Sequence, residues 1–198
     1  MHLLDFLKPW EFSPVLMVSF LLLFWLYTRG FMAIKRVDRT AKTYWQAVSF
    51  YIGLFSIYIV SHTYIDYLSQ YMFWVHRFQH LVLHHLAPML MVLGAVEIVR
   101  KGLPNYWPCW SSVPTLIRWP CERLYHLIQH PVLAPILFVG LIYLWLIPDI
   151  HFIAMLSKKL YYVMNWSMLL DGFLFWWLVL GPEWRGEGKG FKTRIIMM

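Results

Sequence analysis

The sequence predicts an all-α fold, a polytopic transmembrane helical bundle of about five spans. Three observations carry this. Of the 198 residues, 60% are hydrophobic, and the mean hydropathy is +0.55; soluble domains sit nearer half apolar. The apolar residues fall in runs close to the roughly 20 residues a helix needs to cross a bilayer. The chain also holds 12 Trp and 12 Tyr, residues that favour the membrane–water interface. Lys and Arg gather between the apolar runs, so the net charge of +7 reads as loop charge. The partner this implies is a lipid bilayer and not nucleic acid. The chain reads as a single integral-membrane domain over residues 1–198.

Residues 1–12 form a polar-aromatic approach around Trp10. Asp5 and Glu11 offset Lys8, and no small-residue cleavage site follows residues 21–25. The first run therefore reads as a permanent span and not a cleaved signal. It covers residues 13–34, with Pro14 suited to the first helical turn and Arg29 able to snorkel near its end. Residues 35–42 make a short, strongly basic loop. The second span covers 44–61 and passes into HTYIDYLSQ, which carries no Lys or Arg. The third covers 71–99 and is closed by Arg100 and Lys101.

Residues 102–130 hold Pro104, Pro108, Pro114 and Pro120 among Trp107, Trp110 and Trp119. That proline density excludes one continuous helix. An interfacial connection follows, with a short amphipathic helix over 122–130. Cys109 and Cys121 lie within it and fit neither a zinc nor a thioredoxin spacing. The fourth span covers 132–147 and stops at Pro148; the fifth covers 160–180 and stops at Gly181-Pro182. Five spans put the termini on opposite sides. Excess Lys and Arg after the first span, after the third and in the tail place the N-terminus outside and the C-terminus in the cytoplasm. The expected location is the cytoplasmic (inner) membrane of a bacterium, in a multi-pass arrangement.

The candidate functional stretch is HRFQHLVLHHLAP, residues 76–88. His76, His80 and His84 recur every four residues, and at about 100° per residue they share one helix face. Ionisable side chains on one stripe of a membrane helix are costly and mark a functional site by default. Neutral imidazole is a common ligand for copper, zinc and iron, and an i, i+4 pair puts two rings on one metal. His62 and Asp66 lie at the height of His76 and are the nearest suppliers of a third ligand. His151, in the outer loop before the fifth span, is a further candidate for this upper site. On the fifth span, Asn165 is expected near the depth of His84 with Asp171 deeper, as a lower ligand set or as acceptors for an imidazole N–H. Pro88 cannot bond the His84 carbonyl, so the helix should kink or open just below His84.

Other residues carry blander readings. His85 points off the stripe and reads as packing. His126 and His130 are interfacial, and His2 has no evident role. Met72, Met89, Met91, Met155, Met164 and Met168 suit gaps between helices. Arg77 snorkels at the outer interface, and Glu97 pairs with Arg100 or Lys101 at a helix end.

The block HRFQHLVLHHLAPML resembles the central helix of the membrane-integral CtaG family, bacterial assembly factors for caa-type cytochrome c oxidase. The block MNWSMLLDGFLFWWLVLGP, residues 164–182, is similar to the family's last block, and His130-Pro131 with Pro148 fits the pattern between them. The resemblance covers about residues 45–182. Members often have more spans, and many carry a histidine where this chain has Asn165 or Asp171. The resemblance implies an assembly or metal-handling factor rather than an enzyme. Its cargo would be copper, and its partners cytochrome c oxidase subunits or other copper-handling proteins. From the residues alone, two other readings stand beside it. One is a b-type haem electron carrier, which needs axial histidines on two facing helices. The other is a metal-dependent membrane enzyme, which needs an open metal position.

Overall fold

The computed structural model describes residues 10–34, 39–102, 119–120, 123–124 and 127–181, with 96–102 described by backbone alone. Expectations for His2, the loop at 35–38, Cys109, Cys121, His126, the side chains of Glu97, Arg100 and Lys101, and the tail from 182 fall outside them. Among the described residues there is no strand. Helix α1 is Pro14–Ala33, α2 Ala41–His62, α3 Tyr64–Tyr71 and α4 Phe73–Leu81. A widened π turn, Val82–Leu86, joins α4 to α5, Ala87–Gly102; α6 is Leu133–Leu146, α7 Pro148–Leu156 and α8 Lys158–Leu180.

Among the described residues four segments are long and apolar enough to cross a membrane: α1, α2, the run Phe73–Ala95 and α8. The pair α6 and α7 makes a fifth if counted as one span, and it is bent by 73°. The five spans that the sequence predicts match the upper count, and the fourth differs in shape. Pro148 does end α6, as expected. It also occupies the first turn of α7, where its missing N–H costs nothing, so the chain turns and continues as helix instead of opening into a loop. The third span also differs. Its predicted start at 71 is broken at Met72, whose extended backbone (φ −121°, ψ 111°) separates α3 from α4.

Three helix starts have a side-chain cause. Ser13 Oγ accepts from Leu16 N at 3.5 Å ahead of Pro14. Thr43 Oγ1 accepts from the Thr40 N–H at 3.3 Å. Thr63, fully buried between α2 and α3, donates to Ile59 O at 2.6 Å and accepts from Ile65 N at 3.3 Å, closing one helix and opening the next.

Helix packing uses small residues, as membrane bundles do because lipid offers no hydrophobic gain for helix association. A Cβ at Gly94 would stand 2.5 Å from Gln46 O and 2.6 Å from Phe50 Cβ, so α5 approaches α2 only because that position has no side chain. Ser49 Oγ donates to Leu90 O (2.9 Å) across the same seam, and Tyr27 OH donates to Gly94 O (3.1 Å) from α1. Tyr27 stacks on Phe50 at 3.7 Å. The outside is apolar: Val18, Phe24, Ile52, Phe78, Val139 and Leu170 are all exposed. An apolar surface this extensive fits lipid as the surrounding medium.

The start of α1, the end of α2, α3, the start of α4 and the start of α8 gather at one end of the bundle. There Trp10 N bonds His62 O (3.1 Å), the Trp10 ring packs on Tyr67 (4.2 Å), and Glu11 pairs with Lys158.

Candidate functional site

The ladder begins at that end. His76 and His80, on α4, are buried, and their ring centres are 4.3 Å apart, as the i, i+4 spacing requires. A third imidazole arrives from α7: His151 stands 5.0 Å from His76, edge to face. The bend at Pro148 makes this possible, because it folds α7 back over the start of α4. Both nitrogens of His76, Nε2 of His80 and Nδ1 of His151 are buried and make no hydrogen bond. Four unpaired polar atoms in one apolar setting are costly.

Asp66 sits beside this cluster in a hydrogen-bonded network. Its Oδ1 accepts from Gln79 Nε2 (2.9 Å) and Tyr161 OH (2.8 Å), and its Oδ2 from Gln70 Nε2 (3.4 Å). Gln79 also donates to Val60 O at 2.7 Å, and Ser69 Oγ lies 2.8 Å from Tyr161 OH. Gln79 is between the two upper rungs in sequence, so the network clamps α4 to α2, α3 and α8. Burial pushes the Asp66 carboxyl above the usual carboxylate range, and the bonds from Tyr161, Gln79 and Gln70 oppose that only in part. Gln79, Tyr161 and Ser69 were not singled out from sequence. Gln79 had a signal, an amide inside an apolar run; Tyr161 and Ser69 had none.

His62 occupies a different place. It is buried, with Tyr58 at 5.2 Å and Phe12 at 6.0 Å, and both its ring nitrogens are unpaired. Among the described residues no hydrogen bond or ring contact joins it to His76 or His80.

Below His80 the helix widens. Ala87 N–H bonds Val82 O, five residues back, where the sequence predicts an opening. Pro88 has no N–H to give His84, and its ring pushes the carbonyl away, so the turn loosens. His84, fully buried, bonds Asp171 Oδ2 through Nε2 at 3.0 Å. Its Nδ1 lies 3.4 Å from His85 Nε2. Its ring stacks on Phe138 (4.0 Å), which stacks on Phe175 (3.9 Å).

Of the two candidates for the depth of His84, the structure selects Asp171. His84 lies 11 residues below the start of α4 at Phe73, and Asp171 lies 13 below the start of α8 at Lys158. At about 1.5 Å per residue the depths nearly match. Asn165 lies higher than expected. It lines a small cavity of about 20 Å³ with Asp66 and Ser61, and its Oδ1 is buried and unpaired. The predicted site residues thus divide among an upper trio that recruits His151, an Asp66 network, His62 apart, and a lower His84–Asp171 pair. Among the described residues no group of three or more His, Cys, Asp or Glu is arranged in coordinating geometry.

This is a multi-pass helical membrane protein whose buried core is lined with histidines and closed by an intramembrane carboxylate. The chain belongs to the cytochrome c oxidase caa3 assembly factor family (Caa3_CtaG), whose model matches residues 25–198. Its curated relatives include an uncharacterized protein of Mycobacterium leprae, 25% identical over 92% of this chain and 28% of the relative's length. Uncharacterized proteins of Mycobacterium bovis and Mycobacterium tuberculosis are each 24% identical over 89% of this chain and 27% of theirs. The chain therefore spans little more than a quarter of the length of these relatives. No solved structure matches it.

Proposed function

We propose that the protein is a copper-handling factor that assists cytochrome c oxidase assembly, with copper as its cargo at the His76 end of the third span. The family membership supports the assembly role, and the four unpaired ring nitrogens of His76, His80 and His151 support the cargo. Two imidazoles sharing a tetrahedral ion place their ring centres roughly 5 Å apart, given metal–nitrogen distances of about 2.0–2.1 Å. The separations of 4.3 and 5.0 Å lie close to that. Turning the rings toward a common point would complete the site. Asp66, through Gln79 and Tyr161, holds α4 in position, and His84 with Asp171 anchors the lower half of the span. On this reading the His76 end faces outward from a bacterial inner membrane, where an oxidase subunit or another copper-handling protein exchanges the ion.

Elemental analysis of protein purified in mild detergent tests this. Copper should copurify, and His80→Ala should lose most of it. Full retention in that variant removes the ladder as the site. A Soret band in the same preparation would replace copper with haem.

A further inference from the structure

A crevice of about 490 Å³ opens between α1 and α8, with α2 and α5 behind it. Phe20, Leu54, Met91, Trp166, Leu169 and Trp177 give its character, and among the described residues no Asp, Glu, Lys or Arg lines it. His62 stands at one end of it, 2% exposed, with both ring nitrogens unpaired. Along α2 the lining runs from Phe50 to His62, roughly 18 Å at 1.5 Å per residue. That is close to one leaflet, half of a hydrocarbon core of about 30 Å. His62 is the last residue of α2 and so lies at the interface end of this slot.

We infer that the crevice binds an uncharged long-chain lipid whose head is a hydroxyl or carbonyl, hydrogen-bonded to His62, with its chain lying between α1 and α8. A neutral imidazole offers one donor and one acceptor. A hydroxyl head satisfies either, and a bare hydrocarbon tail satisfies neither. A phosphate head is disfavoured, because the described lining residues supply no cation to offset its desolvation. Glu11 and Lys158, at this end of the bundle, are engaged with each other. Helix α1 also suits a slot wall, since only Tyr27 and Gly30 on it are buried. The inference is independent of the copper reading, because among the described residues no hydrogen bond or ring contact joins His62 to His76 or His80.

Photolabelling of the whole chain in lipid nanodiscs tests this. The probes are hexadecanol and a phosphatidylcholine, each carrying a diazirine on the same chain position. The alcohol should label residues 16–23 of α1 and 166–173 of α8 well above the lipid-facing surface of α6, and the phosphatidylcholine should not. His62→Phe keeps the ring and removes the nitrogens, and should cut crevice labelling about fivefold, the loss of one hydrogen bond. Ser19→Trp fills the slot from the loosely packed α1 and should abolish the labelling with the His62 nitrogens intact. Equal labelling by both probes, labelling unchanged by either variant, or no labelling above the α6 background overturns the inference.

Discussion

Gly172 lies against the carbonyl oxygen of His84: a Cβ at position 172 would stand 2.3 Å from that oxygen and 3.0 Å from Pro88 Cγ. The oxygen is the one that Pro88, lacking an N–H, cannot bond, and the glycine lets α8 come close to it. Gly172→Ala must push α8 away from the third span. Overpacking of this kind costs about 1–3 kcal/mol. A lowered melting temperature in detergent is expected, and an unchanged one would show that the contact is easily relaxed.

Asp171, next to that glycine, carries the second consequence. Removing one partner of its buried contact with His84 strands the other, at about 1–3 kcal/mol. His84→Leu and Asp171→Leu should each destabilise. The double variant should be less damaged than the sum of the two, because neither polar group is then left unpaired. Additive losses in thermal unfolding would mean that the two side chains act independently.

Copper retention should depend on pH. Imidazole binds a metal only when deprotonated, so bound copper should fall as the solution is acidified. His76→Ala should lower the copper content at neutral pH. Asp171→Asn, which keeps a hydrogen-bond acceptor for His84 far from the upper rings, should leave it near the parent level. Equal losses in both variants would merge the two sites into one.

Asp66 sets a pH dependence of stability with a definite sign. Its folded value lies above the ordinary carboxylate value because burial disfavours the charge. The folded chain therefore holds this proton more tightly than the unfolded chain. That stabilisation is complete below the ordinary value of about 4 and fades as pH rises through the folded value. The melting temperature of the parent minus that of Asp66→Asn should decline from pH 4 upward. A flat difference would place the titration elsewhere.

The fold was legible where chemistry is local. Apolar run length gives α1, α2 and α8 nearly to the residue, and Pro88 announces the widened turn. The site was legible in part. The period of four groups His76 with His80, and an acid within a span flags Asp171. What escaped depends on where the chain goes next. His62 follows the same spacing logic as a third ligand, yet Thr63 turns the chain so that its ring faces another slot. His151 reads as loop until Pro148 is seen to begin a helix that folds back. Asn165 is the exception, because the span starts read from the sequence, 71 and 160, already put His84 and Asp171 at similar depth and Asn165 well above them, and the structure's starts at Phe73 and Lys158 leave that order unchanged.

The widened turn at Val82–Leu86 also acts as a phase shifter. One residue beyond the α-helical count rotates everything after it by about 100° relative to everything before. His84 is thereby turned toward α6 and α8 while His76 and His80 keep their own outlook. Deleting His85 or Leu86 would restore the α-helical phase beyond His84, and it would swing Pro88 and the residues after it off Gly172. A bilayer tolerates a span one residue shorter at small cost. This span should not, because its upper half is held by the Gln79–Asp66–Tyr161 bonds and its lower half by the close approach of Gly172.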